Sequence, residues 1–360
     1  MKAIIFAGGV GTRLWPLSRR SSPKQFEKVI GDKSTLQLAT ERLLPDIDWK
    51  DIYVATGERY VSVVNKQLKT LPISNIISEP EARDVGPAVG LATATLLKKF
   101  SNIPIIILWS DHIIRQDDLF RRILTICAKT IAQHKNKIIF IGQRPRFASQ
   151  NLGWIKFGKV VFNKSGIDFF SFEKFNYRPD LKTAENFFHD GHYSWNVGYF
   201  VTTPAFLWNL FKIHQPEMYK VLSEIAKAIG KDNYKSQLHK LYTTLPKISF
   251  DNAILEKISP EDALVVSENL GWSDVGAWEA LKEALQATPS QNVIQGKVLV
   301  TDCRDSLVYN YTKQMVVTID LNGYLVINTN DVVLICHKNS VPKIKKLVEN
   351  LSESENEHLV

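Results

Sequence analysis

The chain predicts an α/β fold, a mixed and mostly parallel sheet flanked by helices, followed by a small all-β unit and a closing helix. Three observations carry this. Short, continuous β-branched runs alternate with amphipathic segments over the first 280 or so residues. After Thr288-Pro289-Ser290 the texture changes to apolar runs starting at Val298, Leu307, Met315, Tyr324 and Val332, with Asp, Asn and Gly between them. Last, Ile344, Leu347, Val348 and Leu351 recur at helical spacing.

The first runs, at 3–6, 52–55, 103–108 and 138–141, are apolar throughout, as expected of strands covered on both faces. Between the last two, Phe120, Ile123, Leu124, Cys127 and Ile131 mark one face of a helix that Asp117 or Asp118 would cap. Strand, helix and strand in succession imply parallel pairing. Ligands of such sheets lie beyond the carboxyl ends of the strands, where the loops after Phe6 and Leu108 begin. The near-regular spacing after residue 288 suits a few coils of a β-solenoid. The expected division is 1–288 and 289–360, the second part ending in a frayed acidic tail with Glu353, Glu355 and Glu357.

With 360 residues, 44% of them apolar and 23% charged, the chain can bury a sizeable core. Its net charge of +8 is dispersed, so nucleic acid is not an expected partner. Cys127, Cys303 and Cys336 are odd in number and lack CxxC spacing, which suits reduced thiols. The longest aliphatic run is broken by Pro104 and falls far short of the about 20 residues a membrane span needs. The first apolar stretch ends in glycines and has no signal-peptide character. A cytoplasmic protein with no membrane partner is expected.

Gly8, Gly9 and Gly11, with Arg13 and Lys24 close behind, form the most informative feature. Glycines let bare backbone N–H groups approach phosphate oxygens, and the two cations offset the charge. A P-loop would need Gly-Lys followed by Ser or Thr, and a dinucleotide fingerprint would need glycine at position 14, which is Leu14. Neither pattern fits, and a hydride-transfer enzyme is disfavoured with them. Asp111 follows an apolar run, and Asp274 lies in Gly271-Trp272-Ser273-Asp274-Val275-Gly276. Two strand-end aspartates suit a metal–triphosphate, although either alone also suits a cap or a turn. Glu173-Lys174, in an aromatic stretch, reads equally as a surface ion pair or as an acceptor for sugar hydroxyls beside a phosphate-holding ammonium. Trp195-Asn196-Val197-Gly198 offers an amide for hydroxyls. No histidine pair has metal-ligand spacing, and His112 reads as a structural hydrogen-bonding residue.

The motifs AGGVGTRLWPLSR with PKQF, then EPEAR, GPA, SDH, FEK, SWNVG, FDNAILEK and GWSDVGAW, occur in this order. Together they resemble the bacterial mannose-1-phosphate guanylyltransferases, a group of sugar nucleotidylyltransferases. The resemblance extends to about residue 350 and implies a Rossmann-like domain and a small left-handed β-helix with a closing helix. It implies the form without the further isomerase domain of many members. It also implies that Gly8, Gly9, Gly11, Thr12 and Arg13 hold the triphosphate, helped by Lys24. Glu79 and Arg83 would face the nucleotide, Asp111 and Asp274 would bind Mg²⁺, and Gly153, Glu173, Lys174 and Asn196 would contact the sugar phosphate. Arg13, Lys24, Asp111 and Asp274 would be the catalytic groups, and Asp251 matches the motif preceding GWSDVG. Trp109 stands where the family has proline. Val85-Gly86 and Leu152-Gly153-Trp154 also depart from its pattern. The family's FVEKPD reads as interrupted, with Phe175-Asn176-Tyr177-Arg178 inserted after Glu173-Lys174.

The implied reaction transfers GMP from GTP to mannose 1-phosphate, giving GDP-mannose and pyrophosphate by in-line attack on the α-phosphorus. Another sugar 1-phosphate, another nucleotide, or a non-catalytic nucleotide-sugar sensor remain alternatives. Exposed edges of the β-coils leave a homodimer open.

Overall fold

Strand β1 (Lys2–Phe6) is buried at four of its five positions and lies between two parallel neighbours, β2 (Ile52–Gly57) and β4 (Ile105–Trp109). The fourth strand of this group, β3 (Ile76–Glu79), pairs parallel to β2. The third predicted run begins two residues late, because Pro104 has no N–H to give a ladder, although its carbonyl still accepts from Lys2. The computed structural model describes residues 1–9, 14–19 and 22–360.

Five more strands complete the sheet: β5 (Ile138–Gln143), β6 (Gly153–Lys164), β7 (Ile167–Tyr177), β8 (Tyr193–Thr202) and β9 (Ala263–Glu268). The order is β3-β2-β1-β4-β8-β5-β9-β7-β6, and β6 also pairs with β8, so strands β8, β5, β9, β7 and β6 form a closed circuit. Strand β8 runs antiparallel to β4, β5 and β6, whereas β5 and β9 are parallel. Helix Val85–Phe100 packs against helices Pro204–His214 and Pro216–Ala228. A methyl group at Gly90 would come within 2.4 Å of Leu222 Cδ1, so this approach requires glycine. Helix Asp117–Gln133 forms where its periodicity predicts, but neither aspartate caps it. Gln116 holds that position, while Asp117 accepts from Arg42 Nε at 2.6 Å and Asp118 pairs with Arg121.

These elements belong to one compact unit, Met1–Gly8, Ala39–Ser110 and Ile114–Leu270. The second unit is Gly9–Leu38, Asp111–Ile113 and Gly271–Val360, a division that does not follow the expected break at 288/289. Its core explains why. Leu14, Trp15, Val29, Ile113, Val275, Trp278 and Leu281 are buried with Leu307, Tyr309, Leu325, Ile327 and Ile344 in one apolar cluster. The second unit's strands are β10 (Val293–Gln295), β11 (Val298–Thr301), β12 (Leu307–Asn310), β13 (Val316–Ile319), β14 (Tyr324–Asn328) and β15 (Val333–His337). Parallel ladders link β10, β12 and β14 on one side and β11 with β13 on another, the pattern of stacked coils, and β15 closes the first ladder antiparallel. Leu299, Val317, Ile319, Val333 and Ile335 stay exposed along β11, β13 and β15. The closing helix is Pro342–Leu351. The acidic tail is docked, not frayed: the Leu359 carbonyl accepts from Trp15 Nε1 at 2.8 Å, and Val360 is buried in the same cluster. Among the described residues, no helix is long and apolar enough to cross a membrane.

Phe140 in β5 is fully buried, its ring 5.1 Å from Phe172 and 5.5 Å from Phe200. Phe140→Ala should lower stability by about 3–5 kcal/mol, read as a shift in the urea midpoint.

Candidate active site

In the first unit, Gly8 follows β1 and Glu79 ends β3, and a methyl group on Gly8 would lie 3.9 Å from Glu79 Oε1. Burial raises the Glu79 carboxyl above its usual range. The Tyr242 hydroxyl, which donates to Oε2 at 2.6 Å, opposes that shift, and the charge of Asp84 adds to it. Arg83 donates to the Leu245 carbonyl at 3.3 Å and to Glu81 at 3.1 Å, which holds its side chain across this segment. Gly11, Thr12 and Arg13 lie outside the described residues.

Asn196 in β8 lies opposite both Gly142 of β5 and Gly153 of β6, and Gly153 in turn lies opposite Tyr177 at the end of β7. Four strands thus place Gly142, Asn196, Gly153 and Tyr177 in one row. Glycine at 153 is a packing requirement, since a Cβ there would sit 2.8 Å from the Phe175 ring. Asn196 Nδ2 donates to Asp251 Oδ1 at 3.1 Å, and Asn196 Oδ1 accepts from the Gly198 N–H at 3.0 Å. Asp251 sits in the short helix Phe250–Ala253, capped by Ser249. Burial pushes its carboxyl up to about 6, with the Asn196 amide and the Arg178 charge only partly opposing. Asp251 therefore joins the predicted set as a neighbour of Asn196.

Glu173 and Lys174 do not join it. Lys156 faces Lys174 and Phe157 faces Phe172, so Glu173 is the extra residue of a β-bulge. Its carboxylate pairs with Lys156 at 3.1 Å, the surface ion pair that was one of the two readings, with the partner on another strand. The predicted insertion is not looped out either. Phe175, Asn176 and Tyr177 continue β7 in register with Ile155, Trp154 and Gly153. The segment Phe175-Asn176-Tyr177-Arg178-Pro179-Asp180 therefore matches FVEKPD without a gap, with Tyr177 and Arg178 at the Glu and Lys positions. Counting back from Pro179-Asp180, which opens the Asp180-capped helix Leu181–Asp190, would have found them.

In the second unit the site is organised around Lys24, in the turn Lys24–Phe26 whose Gln25 and Phe26 are buried. Its ammonium lies 2.8 Å from Asp111 Oδ2 and donates to the carbonyls of Asp274 and Val275 at 3.2 and 3.4 Å. Paired backbone hydrogen bonds between Ile113 and Ser273 fasten the two aspartate segments together. Burial pushes the Asp111 carboxyl up, but Lys24 and His112 outweigh it and hold the group below its ordinary range. His112 packs edge-on against Trp272 with ring centres 5.1 Å apart, which suits its predicted structural role. No group of three or more His, Cys, Asp or Glu that could hold a metal occurs among the described residues. Mg²⁺ needs only one or two carboxylates when phosphate oxygens complete its shell. Asp111 brings a carboxylate and Asp274 its main-chain carbonyl to the Lys24 cation, while Asp274 Oδ1 accepts from the Gly276 N–H at 3.3 Å; the two carboxylates are hard oxygen donors of the kind that requirement names.

The family model described as nucleotidyl transferase matches residues 2–291, and that of the MannoseP isomerase/GMP-like β-helix domain matches residues 296–351. A mannose-1-phosphate guanylyltransferase of Salmonella muenchen is 31% identical, over 99% of this chain and 74% of the relative. Xanthan biosynthesis protein XanB of Xanthomonas campestris pv. campestris is 30% identical, over 98% of this chain and 73% of the relative. The crystal structure of mannose-1-phosphate geranyltransferase from Thermus thermophilus superposes with a TM-score of 0.86 at 28% identity, covering 98% of this chain and 99% of that one.

The raised Asp251 carboxyl has a stability consequence. Between its unfolded value and about 6 the native state holds the extra proton, so stability falls as pH rises through that window. Asp251→Asn keeps an acceptor for Asn196 and removes the titration. Between pH 4.5 and 7.5, urea midpoints should show the wild type losing about 2 kcal/mol more than the variant.

Proposed function

Because the chain belongs to the nucleotidyl transferase family, in the branch of the mannose-1-phosphate guanylyltransferases, we propose that it transfers GMP from GTP to mannose 1-phosphate, releasing pyrophosphate. The observation that carries this reading is the Lys24 cluster, which joins the predicted phosphate-loop lysine to both predicted metal-holding aspartate segments.

The sugar phosphate supplies the nucleophile. Its second pKa is near ~6, so at neutral pH it is largely dianionic and needs no protein base. What the protein contributes is positioning and charge. Gly8, Gly9, Gly11 and Thr12 offer backbone N–H groups to the triphosphate, and Arg13 and Lys24 offset the charge of the departing pyrophosphate. Glu79 and Arg83 face the nucleotide, while Asn196, with Gly153 beside it, takes hydroxyls of the sugar. Asp111 and Asp274 would hold Mg²⁺, which when bound draws electron density from the phosphoryl oxygens. The low-lying Asp111 carboxyl keeps its charge throughout the neutral range.

GTP as substrate and three cysteines without disulfide partners suit a cytoplasmic enzyme. A relative named for xanthan biosynthesis suits a nucleotide sugar consumed in polysaccharide assembly.

Four nucleoside triphosphates assayed against mannose, glucose and fucose 1-phosphates should give the fastest pyrophosphate release with GTP and mannose 1-phosphate. A faster pair would replace the substrate assignment. EDTA should abolish turnover and added Mg²⁺ restore it. Asp274→Asn should lower kcat by roughly 100-fold or more with an unchanged melting temperature. Full activity in that variant would remove Asp274 from the metal site.

A further inference from the structure

Resting on the nucleotidyltransferase reading, we propose that Asp331, acting through Arg19, is a positioning residue for Lys24. The β14–β15 hairpin of the second unit thereby sets where the phosphate-loop lysine stands.

Lys24 is held at its tip and must also be held at its base. Its ammonium bonds to Asp111 and to two main-chain carbonyls, and an arriving phosphate competes for the same donors. A four-carbon stem is flexible, so contacts at the tip do not fix its approach once the ammonium turns to a ligand. The backbone needs other anchors. Gly9–Leu38 belongs to one compact unit with Gly271–Val360, and the anchors come from there. The Trp15 indole donates to the Leu359 carbonyl at 2.8 Å, and the Trp15 carbonyl accepts from Trp278 Nε1 at 2.9 Å. Beyond Lys24, Gln295 Nε2 donates to the carbonyls of Lys28 and Gly31 at 3.5 and 3.4 Å.

Between these anchors stands Arg19. Its Nη1 and Nη2 each donate to one carboxylate oxygen of Asp331 at 2.6 Å, and its Nε donates to the Pro16 carbonyl at 3.1 Å. Asp331 lies in the turn between β14 and β15, where Thr329 Oγ1 donates to its Oδ1 at 3.1 Å and the Thr329 N–H to the Val332 carbonyl at 2.9 Å. Exposed ion pairs usually contribute little, but a forked pair with both ends already oriented has less side-chain freedom to lose. The Arg19 side chain is 17% exposed. Its hydrogen bonds hold the Asp331 carboxyl below its ordinary range, so the pair stays charged at neutral pH. From Arg19 the constraint reaches Lys24 along the main chain. Arg19 and Ser22 exchange backbone hydrogen bonds at 3.0 and 3.1 Å, and the Ser22 hydroxyl donates to Glu27, just past the turn Lys24–Phe26. Both sides of the lysine are thus tied to one arginine, and that arginine to the hairpin. Because Lys24 meets the charge of the departing pyrophosphate, an error in its position falls on kcat rather than on sugar-phosphate binding.

Pyrophosphate release from Asp331→Ala, Lys24→Ala and the double variant tests this. Asp331→Ala should lower kcat by about 10- to 30-fold, the range for a displaced catalytic group, and leave the KM for mannose 1-phosphate within about twofold. Asp331→Glu, which keeps a forked acceptor, should recover part of the loss. In the Lys24→Ala background the Asp331→Ala substitution should cost less than about twofold, since the group it positions is gone. Hydrogen exchange of residues 22–27 should rise in Asp331→Ala while the melting temperature moves little. An unchanged kcat in Asp331→Ala, or its full loss repeated on top of Lys24→Ala, overturns the assignment. Should Asp331→Ala unfold, Arg19→Asp combined with Asp331→Arg carries the test: kcat above that of Arg19→Asp alone supports the pair, and kcat no higher overturns it. Wild-type protein that releases no pyrophosphate, while exchange at residues 22–27 still rises in Asp331→Ala, would sink the reaction and keep the clamp.

Discussion

Between Asn196 and Tyr199, β8 takes three steps while β5 takes the single step from Gly142 to Ile141, and the two extra residues are Val197 and Gly198. This bulge lets one edge of β8 change partner, from β4 at Phe200–Thr202 to β6 at Tyr193–Asn196. The sugar end of the site depends on that exchange, because it alone brings Gly153 and Tyr177 to Asn196. Bulges re-aim side chains at an energetic cost that something must offset. Here Asn196 Oδ1 accepts the Gly198 N–H, and Trp109 Nε1 donates to the Gly198 carbonyl at 2.9 Å. Gly198 has a φ of 75°, and a Cβ on it would lie 1.9 Å from the Trp109 nitrogen, so both conformation and space require glycine. Trp109, which departs from the family's proline, is thus the residue that fixes the bulge.

The same hydrogen bonds divide the labour of Asn196. Its carbonyl oxygen is committed to the bulge and its amide to Asp251, so the side chain cannot rotate without breaking both. A polar group held this way is preorganised, and a ligand hydroxyl need not order it. Asp251, raised by burial, keeps one oxygen on Asn196, and the Arg178 charge acts on it without an ion pair. This is a half-buried polar network with capacity to spare, which is what polyol recognition requires.

Much of this was legible in the sequence. Continuous apolar runs gave β1, β2, β4 and β5 nearly to the residue, and the spacing after residue 288 gave five strands of the second unit. Where it failed, the physical reasons differ from element to element. Alternation assigns faces correctly only while a strand keeps its register, and the bulge at Glu173 breaks it. Matching the motif from its Glu-Lys end therefore selected a pair on the exposed side and turned a continuous strand into an insertion. The missed cap at Asp117 has a different cause, since a carboxylate can be drawn off by a distant arginine that local sequence does not reveal. Apolar loop residues such as Leu14, Trp15 and Ile113 look like ordinary connections in the sequence, and only their burial with the β-coils shows that they pack within the second unit.

Lys24 completes the argument about charge. An ammonium bonded to one carboxylate and two carbonyls is well solvated by the protein, and Asp111 in turn is held ionised by it. With Asp111 held ionised beside the ammonium, the cluster presents a fixed charge pattern to an incoming phosphate chain. A reaction whose nucleophile is already a dianion has no use for a tunable base, but it does need charges that are in place before the substrate arrives. Glu79 and Asp251, two site carboxyls that burial raises, accept hydrogen bonds from uncharged partners, Tyr242 and Asn196. The sequence of this chain thus separates fixed charge, for phosphates, from adjustable hydrogen bonding, for the neutral parts of its substrates.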